Sequence, residues 1–295
     1  MLFIAGVERG VKMDNLKKVM KISFYNIKKW GINPRIYVIL ILLVCYIHFM
    51  EKPVKIFAEN TNFNLSPYLF PFLISSGYSS KILLLLLIML FCDAPFTECE
   101  YPYIVIRSGR KKWYFGQQLY ICIASAIYMV LIIITSILVM LPNVSFELIW
   151  GKVINTFAQT GIAVQHGIVI PFDFYTVQKF SPIQAMVMQG LLCWLVFVMI
   201  GNVMFLINTI TSRAFGALVA TGIVFFQMFA ENISIIWTYF SPTSWMSLSF
   251  LSIDGIGTHP GLVYALFMLA ILNISLALIS YKVVSRKDID ILKNI

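Results

Sequence analysis

The chain has 295 residues, of which 60% are hydrophobic and only 12% charged, with a mean hydropathy of +0.86. A soluble domain carries about 25% charged and 45–50% apolar residues, so soluble, disordered, collagen-like and disulfide-scaffold classes are excluded. The formal charge of +9 lies beside apolar runs rather than on one soluble face, which argues for orientation in a bilayer and against nucleic acid as a partner.

Residues 1–12 (MLFIAGVERGVK) have no small-residue cleavage site and do not read as a secretory signal. Glu8-Arg9-Gly10 can be encoded by a purine run like a bacterial ribosome-binding site, with Val11 and Lys12 as spacer. The expected start of translation is therefore Met13, with 1–12 upstream of it. Residues 13–31 then read as an amphipathic interfacial helix. Leu16, Val19, Met20, Phe24 and Ile27 recur at three-to-four spacing, and Lys17, Lys18, Lys21, Lys28 and Lys29 fill much of the remaining surface. Such a helix lies on an anionic leaflet, with Trp30 at headgroup level.

Residues 32–295 read as a six-span domain, because about 20 apolar residues cross a bilayer as a helix. The expected spans are about 32–51, 79–97, 118–141, 183–207, 214–236 and 262–282. In the second, Lys81 either snorkels to the outer surface or lies within a longer helix starting near Phe72. With the N terminus inside, 17 of the 22 Lys/Arg fall on the inner side, which places both termini in the cytoplasm. The outer stretches 142–182 and 237–261 suit short interfacial helices, a re-entrant cover, or hydrophobic loops packed on the bundle.

Several chemistries are absent. No G-x-x-x-x-G-K-[ST], H-E-x-x-H or G-x-S-x-G occurs, and no Cys-x-x-Cys pairs the five cysteines. His48, His166 and His259 have no ligand at helical spacing, so no metal site is expected. Without a phosphate-cradling loop the chain is not expected to be an ATP-hydrolysing enzyme, and no catalytic residue is assigned.

The most informative stretch is 92–121, CDAPFTECEYPYIVIRSGRKKWYFGQQLYI. Asp93 and Pro95 end the second apolar run. Glu98 and Glu100 then meet Arg107, Arg110, Lys111 and Lys112 in a short span that favours a compact, paired element, and Trp113 and Tyr114 mark re-entry into the membrane. R-S-G-R-K-K-W followed by F-G-Q (107–117), after an acidic Pro/Tyr segment, resembles the inner loop of type-2 ABC transporter permeases of bacteria. S-P-T-S-W-M-S-L (241–248) resembles the same family's outer segment.

That resemblance implies an all-α integral membrane protein of six transmembrane helices, with an N-terminal amphipathic interfacial helix and a cytoplasmic coupling helix. It implies the permease subunit of an ABC exporter in the bacterial cell membrane, moving an amphiphilic small molecule, peptide or lipid-like substrate outward. Energy would come from a separate ATP-binding subunit holding ATP and magnesium, with no cofactor in this chain. A second permease, identical or related, would complete a dimer. Glu98, Glu100, Arg107, Gly109, Arg110 and Trp113 become candidate ATPase-coupling residues. The alternatives are a membrane sensor or scaffold docking a cytoplasmic partner through the same loop, and an intramembrane enzyme.

Two polar residues stand out in the fifth span. Glu231 lies near its end and Gln227 one turn earlier on the same face. A charge at mid-bilayer costs about 2.5–3.5 kcal/mol on insertion scales, so both are candidate pathway or gating residues. An outer-interface carboxylate hydrated from outside is the alternative. Asn202, Asn208 and Asn273 read as interhelical hydrogen-bond partners. The expected start at Met13 is checked by intact mass of the native product; a product retaining residues 1–12 rules it out.

Overall fold

The computed structural model describes residues 2–95, 101–211, 213–253 and 257–286, and side chains over 15–95, 104–211, 215–253 and 257–286. Among them the regular structure is helical, with two isolated bridges and no strand. Among the described residues, five helices are long and apolar enough to cross a membrane: α2 (Pro34–Thr61), α6 (Arg110–Met140), α10 (Pro182–Ile210), α11 (Arg213–Ile233) and α13 (Leu262–Arg286). This is a multi-pass, all-α membrane protein.

The expected second span, 79–97, takes a different form. Residues 79–91 of it lie in α4 (Gly77–Phe91), and the longer helix from near Phe72 is interrupted, because α3 (Phe70–Ser75) is separated from α4 by the extended Ser76. Pro71 opens α3, and the Cys92–Pro95 turn closes α4 well before residue 97. At 1.5 Å per residue α4 is about 22 Å long, short of the roughly 30 Å hydrocarbon core. Lys81 sits one turn into α4, after the break. The expected first span also runs on, to Thr61 and through Pro53, and the third begins earlier, at Arg110.

Helix α10 is the centre of the bundle. In its apolar window 78% of residues are buried, against 11% in α13, which packs along its flank. Side-chain amides fasten its neighbours. Asn202 donates to Asn273 Oδ1 at 3.2 Å, and Asn273 donates to Leu195 O at 3.0 Å. Near the end of α10, buried Asn208 donates to Ala94 O at 2.8 Å, and its Oδ1 accepts from Gly216 N at 2.7 Å. One side chain thus holds the end of α4, the end of α10 and the start of α11.

Helix α1 (Leu2–Lys28) is longer than the expected 13–31 element and ends in a 3-10 turn over Lys29–Gly31. Its described part has three faces. Val19, Ile22, Ser23 and Asn26 pack on α6, where Asn26 donates to Gln117 Oε1 at 2.8 Å. Helix and helix meet at Gly116, where an added Cβ would lie 2.7 Å from Ile22 Cγ2. Leu16, Met20 and Phe24 form an exposed apolar face, and Lys17, Lys21 and Lys28 a basic one. With about 100° between successive residues, the apolar face stands roughly 110° from the face on α6 and the basic face roughly 80° further round, nearly opposite α6. That geometry suits a helix wedged between protein, lipid and water.

At the far end, segment 142–182 forms α7 (Gly151–Gln159), α8 (Ile162–Gln165) and α9 (Phe174–Lys179), which cover α3. Phe72 stacks on Trp150 and Phe172, and Trp150 donates to Phe180 O at 3.0 Å. The 241–248 segment, beyond the short α12 (Ile235–Thr238), is held by Gln189 of α10. Gln189 donates to Met246 O at 2.5 Å and accepts from Leu248 N at 2.8 Å.

Removing the Asn208 amide leaves Ala94 O and Gly216 N without this partner. The expected cost of Asn208→Ala is about 2–4 kcal/mol, from two buried groups at roughly 1–2 kcal/mol each. Thermal unfolding in detergent checks it; an unchanged midpoint would mean that the clasp contributes nothing.

Candidate functional site

Two regions gather the candidate residues. The first lies at the end of the bundle where α1 begins to pack on α6. Where α4 ends, Arg35 of α2 pairs with Asp93 Oδ2 at 2.8 Å and also meets Cys92 Sγ. Burial and the neighbouring Asp93 charge raise the pKa of the Cys92 thiol, with Arg35 opposing. The thiol is therefore neutral near pH 7. Together with the Asn208 bond to Ala94 O, this fixes the near end of the segment. Glu98 and Glu100 lie outside the described residues.

The segment continues as α5 (Tyr101–Ser108), separated from α6 by one residue. Gly109 has φ +84° and ψ 148°, a conformation that glycine adopts without a Cβ penalty. Its N–H donates to Val105 O at 2.8 Å and its carbonyl accepts from Trp113 N at 3.1 Å. The corner between the two helices is thus closed by backbone bonds on both sides. On α5, Val105 is buried in the core while Ile106, 69% exposed, and Arg107 point away from the protein.

Of the remaining coupling candidates, Trp113 faces inward and Arg110 is half-exposed. Arg110 reaches Ser285 O of α13 at 3.5 Å. Trp113 is buried and lies 6.0 Å from the Phe205 ring of α10. Tyr114, which the sequence marked only as membrane re-entry, donates to Ala277 O of α13 at 2.5 Å. The α5–α6 corner therefore has an exposed tip at Ile106, Arg107 and Gly109, and a root at Arg110, Trp113 and Tyr114 tied to α10 and α13.

The second region lies where the break at Ser76 meets α11. Lys81 Nζ donates to Gly77 O at 2.7 Å and to Glu231 Oε2 at 3.3 Å. Gln227 Nε2 donates to Glu231 Oε1 at 2.7 Å and to Ser80 Oγ at 3.4 Å. Gln227 is buried, and its Oε1 has no partner among the described residues. Lys81 and Glu231 keep side-chain exposures of 16% and 22%. Helical spacing puts Ala220, Val224, Gln227 and Glu231 on one face of α11, and the structure presents that face to α4. The site thus holds a paired charge and a spare amide oxygen at a helix break, an arrangement that can bind or pass a polar group.

The same break is bridged on its other side. Ser75 Oγ lies 2.8 Å from Ser249 Oγ and accepts from Ser247 Oγ at 3.3 Å, while Tyr46 donates to Ser79 Oγ at 2.9 Å. A third polar group escaped the sequence reading. Glu51 is fully buried in α2, accepting from Ser136 Oγ at 2.5 Å. Lys55 and Glu59 follow on the same face and bond Leu141 O at 2.6 Å and Asn143 at 3.3 Å. That i, i+4, i+8 spacing was the available signal.

Among the described residues, no three His, Cys, Asp or Glu side chains come together as a metal ligand set. Comparison with known proteins gives no match: no family model, no curated protein and no solved structure is similar to this chain.

Lys81 and Glu231 should behave as a coupled pair. Lys81→Met alone is expected to destabilise by about 1–3 kcal/mol, below the range for fully buried pairs because both ends are partly exposed. Lys81→Met with Glu231→Gln should recover most of that loss. Unfolding midpoints of the single and double variants test this; additive losses would show that the two charges do not interact.

Proposed function

We propose that the chain is the permease subunit of an ABC exporter in a bacterial cell membrane. It has six spans, counting the broken α3–α4 stretch as the second, and both termini are cytoplasmic. The observation that carries this reading is the corner at Gly109, where a short helix with an exposed tip is rooted through α6 in two spanning helices. A rigid corner of this kind can pass a push at its tip into the bundle. The chain has no phosphate-cradling loop, so the push would come from a separate ATP-hydrolysing subunit seated on Ile106 and Arg107. The basic residues on the same side support its cytoplasmic placement.

In this reading the working unit contains two permeases. The seam between α4 and α11, with Ser80, Lys81, Gln227 and Glu231, is the polar part of the pathway. An ion pair that bridges two helices can separate and re-form as they move, which suits a gate. The substrate is an amphiphile with both a polar and an apolar part. A sensor or scaffold would use the same α5 tip but would move nothing.

Purification of the native complex tests the reading. A P-loop ATPase is expected to accompany the chain, and Ile106→Asp with Arg107→Glu should weaken the association by about 100-fold, as loss of two central interface residues does. Absence of any ATPase companion would overturn the permease reading. An ATPase bound without substrate movement in reconstituted vesicles would leave the scaffold. Glu231→Gln is expected to lower transport while the ATPase stays bound.

A further inference from the structure

Helix α11 has a second functional face. Beside the polar face toward α4 it forms one wall of a groove, with α10 as the floor and α13 as the opposite wall. The cavity volume is about 400 Å³. Met199 and Val203 supply the floor, Gly222 and Phe226 one wall, Leu272 the other, and Pro242 covers one end. No charged residue lines it, and its one hydroxyl, Ser275, donates to Leu272 O at 2.9 Å. The walls therefore make no unmet polar demand on an occupant.

Three observations identify what would fill it. All three bounding helices are long and apolar enough to cross a membrane, so the mouth between α11 and α13 opens to hydrocarbon rather than water. Gly222 lies exposed in the wall, and a Cβ built there meets no atom within 4 Å. The slot is thus open where any other residue would begin to close it. Finally, a helix about 10–12 Å across does not enter a cleft of this volume, whereas a single hydrocarbon chain does. Apolar cavities of this kind stay dry and accept apolar guests.

We propose that this groove receives the acyl chain of a single-chain amphiphile, which enters sideways from the bilayer between α11 and α13. The inference rests on the permease reading and narrows its substrate class to acylated amphiphiles. The hydrocarbon outside the groove is as apolar as its walls, so the acyl chain would be held by close packing against Met199, Val203, Phe226 and Leu272 rather than by escape from water.

The test uses the full chain in phosphatidylcholine nanodiscs with a palmitoyl amphiphile carrying a photoreactive diazirine near its chain end. After irradiation, label should concentrate on peptides containing Val219–Phe226 and Leu272–Leu276, and should saturate as the probe is raised. Gly222→Leu should cut that labelling about ten-fold, because its side chain fills the slot and overpacks it against a bound chain, while Gly222→Ala keeps most of it. Leucine also favours a helix over glycine, so an unfolding midpoint no lower than that of the unsubstituted chain confirms that the variant is folded.

Equal labelling of Leu218 and Phe267, which face outward elsewhere, would overturn the proposal, as would labelling that rises linearly with probe and never saturates. So would a disulfide between two copies carrying Gly222→Cys, which would make the groove a copy-to-copy interface. These readouts need no ATPase. An unlabelled groove with an ATPase companion removes only this inference, and a missing companion removes the permease reading itself.

Discussion

Hydrocarbon offers no hydrogen-bond partner, so the polar groups that this chain carries into the bundle are matched chiefly from within, and the Gln227 Oε1 left over stands out. The interruption at Ser76 is the sharpest case. It exposes backbone and brings serines, a lysine, a glutamine and a glutamate to one level of the fold. The structure answers with Ser247 and Ser249 from one side and Gln227 and Glu231 from the other. The same rule explains Asn208, which closes a turn that backbone bonds alone leave open, and Glu51, whose carboxylate borrows the Ser136 hydroxyl.

The helical class, the approximate place of the long spans and the existence of a short element between the second and third of them were legible in the sequence. They follow from unbroken apolar length and from charge placement, which act locally. The break in the second span was not legible as such. Its apolar count is sufficient, and the interruption at Ser76 is matched by contacts from distant parts of the chain, among them Tyr46, Gln227, Ser247 and Ser249. Likewise Lys81 and Glu231 were visible singly, but their pairing depends on how α4 and α11 meet. Trp113 was read beside Arg107 as one coupling group, yet periodicity alone could not say that the tryptophan turns inward to Phe205 while the arginine faces out.

Helix α11 meets three different surroundings. Its three sides do different work: a polar side on α4, an open apolar slot against α13, and an outward apolar side at Leu218, Phe225 and Phe229. An amphiphile has two ends of opposite character, and one helix that is polar toward one neighbour and apolar toward another can accommodate both. The small residues at positions 216, 217, 220 and 222 serve this by keeping the helix slim where it is crowded and open where the slot lies.

The two hydrogen bonds of Gln189 to Met246 and Leu248 tie the two ends of the molecule to one helix. Helix α10 is gripped at one extremity by the Trp113 and Asn208 contacts and at the other by that amide. It is therefore held at two levels, near its end and about two turns from its start, along a length of about 43 Å at 1.5 Å per residue over its 29 residues. The 241–248 segment is thereby attached to the same helix that carries the Trp113 and Asn208 contacts.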